Sequence, residues 1–130
     1  MITGGCFCGE IRYEAGRAFD ETNCHCSICR RTTAAPFVAW FTVKRAEFRM
    51  THGTPTRFNS TATAVRSFCS LCGTQITFEN AAAPDEIDVT TCSLDAPELV
   101  PPVDHTFVSS RLEWVRLADE LPKYNGKRID

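Results

Sequence analysis

The spacing of eight cysteines constrains this chain more than any other feature of its 130 residues. Seven of them fall into three short groups, which are Cys6-Phe7-Cys8, Cys24-His25-Cys26-Ser27-Ile28-Cys29 and Cys69-Ser70-Leu71-Cys72. Cysteines separated by one or two residues can direct their sulfurs at one metal ion about 2.3 Å away. Such spacing in a reducing compartment favours metal binding or redox chemistry over disulfides.

The chain begins without the basic and then apolar segments of a signal peptide, and no apolar run approaches the roughly 18 residues of a membrane helix. We therefore expect a soluble cytoplasmic protein with no membrane partner, whose cysteines are thiolates or thiols. A net charge of −2 gives no electrostatic footprint for a phosphate backbone, so we expect no nucleic-acid partner.

With 43% apolar and 23% charged residues, the chain can bury a core and form one domain over residues 1–130. Short apolar or alternating segments between turn residues predict a mainly β fold. The predicted strands are Glu10–Glu14, Phe37–Val43, Glu47–Thr51, Ala64–Phe68, Gln75–Glu79, Ile87–Thr91 and His105–Ser109. Little helix is expected, with short helices at Ser27–Thr33 and Glu113–Leu121.

The two outer cysteine pairs each precede a glycine, Gly9 or Gly73, that lets the backbone curl around a metal ion. Each pair is half of a tetrahedral set, so Cys6 and Cys8 with Cys69 and Cys72 predict a closed four-thiolate site, which is usual for structural zinc. Thiolate-rich sites of this kind also accept iron.

The middle group, Cys24, Cys26 and Cys29, predicts a second ion with one position left for substrate, as in catalytic zinc sites. The alternative is a second structural site in which Cys92, His25 or His105 supplies the fourth ligand. For His25 we expect a side chain that points away from the metal, facing solvent or bonded to backbone.

Three thiolates donate so much charge that the ion activates water poorly, whereas a bound thiol is deprotonated outright and remains nucleophilic. The site therefore suits attack of a thiol on a carbonyl. Arg30 and Arg31 follow Cys29 and could offset the negative charge of the site and hold a substrate carboxylate. The alternative for both arginines is surface salt bridging.

The sequence resembles the glutathione-dependent formaldehyde-activating enzyme family, which includes centromere protein V. The similarity rests on Gly5-Cys6-x-Cys8-Gly9-x-x-Arg12-Tyr13, Cys24-His25-Cys26-x-x-Cys29-Arg30 and Cys69-x-x-Cys72-Gly73-Thr74, with weaker support from His105, Trp114 and Leu121-Pro122-x-Tyr124. The resemblance implies a compact fold of several small coiled antiparallel sheets around the zinc sites. It also implies one structural zinc on the outer pairs and one catalytic zinc on the middle three cysteines. It also implies carbon–sulfur lyase chemistry that joins glutathione to formaldehyde or runs the reverse.

Five further residues have competing interpretations, and a sixth, His52, has one. Cys92 is expected to be a buried inert thiol, with a redox role as the rival. Phe37, Trp40 and Phe41 fill the core or line a wall beside the second site. His105 is a structural histidine bonded to backbone or a proton shuttle. His52, in a Thr-His-Gly-Thr-Pro turn, is expected to be exposed.

Two other functions fit parts of the pattern. One is a zinc-stabilised protein-interaction module without chemistry, which requires a fully ligated second ion. The other is a B-type methionine sulfoxide reductase, suggested by Cys92 but disfavoured by the Cys-x-Cys pair and the extra three-cysteine group. The sequence leaves the thiol, the aldehyde, the direction of reaction and the oligomeric state open.

Overall fold

The structure, a computed structural model, describes residues 1–129, and within them the chain forms ten β-strands and one α-helix. These elements are β1 (Ile2–Gly5), β2 (Arg12–Ala15), β3 (Phe19–Cys24), α1 (Ser27–Thr33), β4 (Val38–Lys44), β5 (Phe48–His52), β6 (Thr56–Asn59), β7 (Ala64–Phe68), β8 (Gln75–Asn80), β9 (Glu86–Thr90) and β10 (Asp104–Thr106). Short 3₁₀ turns occupy Arg45–Glu47, Thr91–Ser93, Pro97–Leu99 and Val108–Ser110. The predicted mainly β fold with little helix is confirmed.

The strands form two sheets. A three-stranded sheet has the order β1-β2-β5, and a seven-stranded sheet has the order β10-β3-β4-β9-β8-β7-β6. Neighbouring strands are antiparallel except for β10 and β3, which run parallel with Thr106 opposite Cys24. The parallel pair brings the C-terminal part of the chain next to the second cysteine group.

Side-chain alternation gives the seven-stranded sheet two different faces. On β4, Phe41 and Val43 are fully buried in the main core, together with Tyr13 of the three-stranded sheet. Trp40 and Thr42 of the same strand point to the opposite face, where they line a cavity. One strand therefore supplies both the core and the wall of the cavity.

All seven predicted strands occur, with ends shifted by up to three residues, and the helix Ser27–Thr33 has its predicted bounds. Three strands were not predicted. The first, β1, is half glycine, β3 carries polar and acidic residues, and all four residues of the edge strand β6 are exposed. None of these three shows the apolar alternation used to recognise strands.

The predicted helix Glu113–Leu121 is wrong, because this segment is irregular in the structure. Tertiary contacts hold it in place: the carboxylate of Asp119 accepts the Leu121 backbone N–H at 3.1 Å and contacts His105 Nε2 at 3.0 Å. Two backbone hydrogen bonds then tie the C-terminal tail, the residues after Ser110, to β10. The His105 N–H donates to the Pro122 carbonyl, and the Tyr124 N–H donates to the His105 carbonyl.

No helix in the described residues 1–129 is both long and apolar enough to cross a membrane.

Candidate metal centres and the cavity beside them

The structure brings together the four cysteines of the outer pairs. Cys6 and Cys8 follow β1, and Cys69 and Cys72 follow β7. Their sulfurs lie within 4.8 Å of one another, with 3.6 Å between Cys6 and Cys8 and 3.8 Å between Cys8 and Cys69. Four sulfurs about 2.3 Å from a tetrahedral ion stand about 3.8 Å apart, so this four-cysteine group fits a zinc ion.

A turn closed by a glycine shapes each half of the four-cysteine group. The backbone N–H of Gly9 donates to the carbonyl of Cys6, and that of Gly73 donates to the carbonyl of Cys69. Both glycines have positive φ, 83° and 81°, a conformation that other residues rarely adopt. The glycine after each pair therefore closes the turn that aims two sulfurs at one point.

Electrostatics also favours a thiolate at Cys72. The hydroxyl of Thr74 lies 3.3 Å from the Cys72 sulfur and, with nearby backbone N–H groups, lowers the pKa of Cys72 to about 5. Hydrogen bonding to the charged form is the physical cause. A thiolate is the form that binds a metal ion.

The three middle cysteines also converge, with all sulfurs within 4.8 Å of one another. Cys24 ends β3, Cys26 caps α1, and Cys29 lies in its first turn. The Cys26 sulfur accepts the Cys29 backbone N–H at 3.2 Å. Hydrogen bonds from the Cys24 and Cys29 thiols lower the pKa of Cys26 to about 2, and the charge of Arg66 adds to the shift.

Among residues 1–129, this three-cysteine group includes no fourth Cys, His, Asp or Glu. Each of the three residues considered for the fourth position, His25, His105 and Cys92, lies outside it. The three cysteines instead border a cavity of about 510 Å³. The arrangement can hold a metal ion on three sides, with space beside it for a small molecule.

His25 departs from its predicted surroundings. Its side chain is fully buried, not solvent-facing, and its Nε2 lies 3.0 Å from His105 Nδ1 rather than on backbone. The Nε2 of His105 lies 3.0 Å from the Asp119 carboxylate, so its side chain is bonded to other side chains and not to backbone. Burial lowers the pKa of His25 to about 4. This buried histidine pair ties the Cys24–Cys26 loop to the tail.

The cavity lies on the face of the seven-stranded sheet opposite the main core. Across four neighbouring strands, Arg66, Phe78, Asp88 and Thr42 form one row of directly opposed residues. The Thr42 hydroxyl donates to the Asp88 carboxylate at 2.7 Å, and burial raises the pKa of Asp88 to about 6. Trp40 also lines the cavity, and its buried indole N–H has no protein partner within the described part of the chain.

Arg66 is a charged residue of the site that the sequence analysis missed, and it lies against one of the cysteine sulfurs. Its side chain lines the cavity and is 4% exposed, and its Nη2 donates to the Cys29 sulfur at 3.6 Å. In the predicted strand Ala64–Phe68 it occupies the same face as Ala64, a position where alternation calls for a buried residue. A charged residue at a strand position expected to be buried was the sequence signal that could have identified Arg66.

Arg30 and Arg31 lie on α1 but are not among the cavity-lining residues. The Nη1 of Arg30 donates to the Ser110 carbonyl, and Arg31 is exposed. The structure therefore places Arg66, rather than either of these arginines, against the sulfurs.

The remaining candidate residues lie in different surroundings. Cys92 is exposed, so the prediction of a buried thiol is wrong; the 3₁₀ turn Thr91–Ser93 buries its neighbours and turns Cys92 outward. Phe41 lies in the core, and Trp40 lines the cavity. Phe37 packs against His25 with ring centroids 4.9 Å apart and ring planes tilted by 32°. His52 is exposed, as predicted.

Comparison with protein families identifies the chain. Residues 1–110 match the model of the glutathione-dependent formaldehyde-activating enzymes. The chain belongs to this family. The match contains both cysteine groups and ends just before the tail. The resemblance inferred from the motifs is confirmed.

Two relatives extend the comparison. A protein of Halomonas elongata, provisionally named a glutathione-dependent formaldehyde-activating enzyme, is 23% identical over 127 residues, which cover 90% of this chain and 81% of the relative. A crystal structure of a Rhodobacter sphaeroides protein superposes with a TM-score of 0.63 at 22% identity and covers 95% of this chain and 99% of that protein. This structural similarity shows a shared fold.

Proposed function

We propose that this member of the glutathione-dependent formaldehyde-activating enzyme family is a zinc-dependent carbon–sulfur lyase. It adds a thiol, glutathione or a similar one, to formaldehyde or another small aldehyde, or catalyses the reverse reaction. The observation that carries the proposal is the three-cysteine group, which lacks a fourth protein donor in the described residues and borders a cavity. The family match to residues 1–110 supports the choice of substrates.

Two zinc ions per chain are part of the proposal. Cys6, Cys8, Cys69 and Cys72 would hold the structural ion, and Cys24, Cys26 and Cys29 would hold the catalytic one. Bound zinc supplies a position at which a thiol loses its proton and stays nucleophilic. A cytoplasmic location is proposed because the two cysteine groups need reduced sulfurs to hold metal ions, a state that a reducing compartment maintains.

The residues of the cavity have distinct proposed roles in this reaction. Trp40 and Phe78 form an apolar wall that limits access of water. The Trp40 N–H has no partner among residues 1–129, so it can donate to an oxygen of the substrate. Arg30 and Arg31 would contact a substrate carboxylate outside the cavity. Arg66 lies against the Cys29 sulfur.

Isothermal titration of the zinc-loaded protein with glutathione tests the binding half of the proposal. We expect one thiol per chain to bind with release of a proton, and no binding to Cys26→Ser. Exchange spectroscopy by NMR in a mixture of glutathione and formaldehyde tests the reaction, which the parent protein should accelerate and Cys26→Ser should not. Absence of both thiol binding and accelerated exchange in protein that carries two zinc ions would refute the proposal.

One observation favours the second candidate, a non-catalytic interaction module stabilised by zinc. Phe7 and Leu71 lie between the paired cysteines of the four-cysteine group and are 93% and 73% exposed. Exposed apolar side chains on ordered turns can bind a protein partner. This function needs a complete ligand set at the second ion, and the described residues offer three cysteines there.

A further inference from the structure

The guanidinium of Arg66 is buried without a carboxylate. The seven ion pairs among the described residues do not include Arg66. Its Nε donates to the Ser60 hydroxyl and its Nη1 to the Thr32 hydroxyl, both at 3.3 Å. Because a buried charge is costly unless it is paired, the Cys29 sulfur at 3.6 Å is the contact that can supply the opposite charge.

Aromatic rings hold the guanidinium in this place. Its central carbon lies 4.9 Å from the Phe78 ring centroid and 5.9 Å from that of Trp40. A planar cation stacks favourably on such ring faces, and an ammonium group would neither match this plane nor span the two hydroxyls. The contacts with Ser60, Thr32 and both rings fix the charge beside the three sulfurs.

The charge of Arg66 changes what the three-cysteine site can accept. A divalent ion and three thiolates carry a net charge of −1, and adding Arg66 brings the total to zero. A thiolate that arrives as a fourth ligand then adds to a neutral site rather than to an anionic one. A neutral fourth ligand, such as imidazole, gains no comparable advantage from the guanidinium.

We propose that Arg66 is the positioning residue that makes the three-cysteine site select an anionic fourth ligand over a neutral one. The inference rests on the proposed function, because it requires a metal ion on Cys24, Cys26 and Cys29. Arg66 lies outside the cysteine motifs and acts through the positive charge that it places beside Cys29. The expected signature is a change in ligand preference and not a general loss of binding.

The test uses protein with cobalt(II) in place of zinc, whose visible spectrum reports ligand binding without any turnover. The anionic probe is 2-mercaptoethanol, whose only charge is that of its thiolate, and the neutral probe is imidazole. We expect Arg66→Gln to bind 2-mercaptoethanol about 10- to 100-fold more weakly, as loss of a charge-assisted hydrogen bond does, with imidazole affinity changed less than threefold. Arg66→Lys should restore part of the preference.

Two further variants keep the test decisive. Arg66→Met retains packing on the two rings and provides a second neutral replacement if Arg66→Gln does not fold. Arg57→Gln on β6 is the matched control, because Arg57 is exposed and paired with Glu79. It should leave both affinities unchanged.

The outcomes separate the two proposals. If neither probe binds cobalt in the parent protein, the proposed three-ligand site itself is wrong. If 2-mercaptoethanol binds the parent and a folded neutral variant equally well, or if that variant loses both probes to the same extent, the inference about Arg66 is overturned while the proposed function stands.

Discussion

Replacement of single cysteines should separate the two metal sites by their effect on folding. Cys69 is 1% exposed and lies in the main core with Cys6, among side chains from both sheets. Cys24 and Cys29 belong instead to a small second cluster with Val38 and Trp40. Loss of an ion held by the four-cysteine group would therefore remove an anchor of the main core, and loss of one held by the three-cysteine group would not.

The magnitudes follow from this placement. A structural zinc contributes about 10 kcal/mol or more of apparent binding free energy, comparable to the total stability of about 5–15 kcal/mol typical of a domain. Cys69→Ser should thus leave the domain unfolded. Cys26→Ser removes the second ion but keeps the helix cap, because a serine oxygen can accept the Cys29 N–H that the Cys26 sulfur accepts now. This variant should remain folded.

Metal content and circular dichroism measure these outcomes. We expect two zinc ions in the parent protein, one in Cys26→Ser and two in Cys92→Ser, a control at the exposed cysteine outside both groups. Thermal unfolding should show a cooperative transition for all three proteins. A folded Cys69→Ser with the stability of the parent, or an unfolded Cys26→Ser, would refute the division into structural and catalytic sites.

Three other predictions test the fold and the cavity. Since burial raises the pKa of Asp88 to about 6, the folded chain binds more protons than the unfolded chain between about pH 4 and pH 6, and the free energy of unfolding falls by up to about 3 kcal/mol as the pH rises through this range. Asp88→Asn should lose that dependence in urea unfolding series, and equal pH slopes for variant and parent would contradict it. Tyr13→Phe removes the 2.7 Å bond to the Ser93 hydroxyl and should cost about 1 kcal/mol by the same assay, whereas an unchanged stability would show that this bond contributes nothing. Phe41→Ala, at a fully buried position, should cost about 3–5 kcal/mol, against under about 0.5 kcal/mol for the exposed Phe58→Ala, and similar losses would contradict the assignment of the core face.

The sequence predicted those parts of the molecule that local geometry determines. A pair of cysteines, one or two intervening residues and a glycine specify the turns of the four-cysteine group, and the close spacing of Cys24, Cys26 and Cys29 alone indicated the three-cysteine group. Local sequence also predicted α1, whose first residue, Ser27, directly follows the Cys26 cap. Strong apolar alternation likewise predicted β4, β7 and β9.

Long-range contacts account for what the sequence did not predict. The position of Arg66 depends on the register of β7 against β8, which stacks it on Phe78 across the strands. The tail is irregular because His105 and Asp119 meet across 14 residues. The buried partner of His25 lies 80 residues further along the chain. No local pattern records such pairings.

The alternation of side chains along β4 explains how one small domain separates the residues that stabilise the fold from those that border the cavity. Phe41 and Val43 stabilise the core on one face, while Trp40 and Thr42 border the cavity on the other. Substitutions on the cavity face remove few contacts of the main core, so they can change ligand preference at a small cost in folding free energy. Arg66 occupies this second face, which is why a neutral side chain there is expected to alter selectivity before it alters stability.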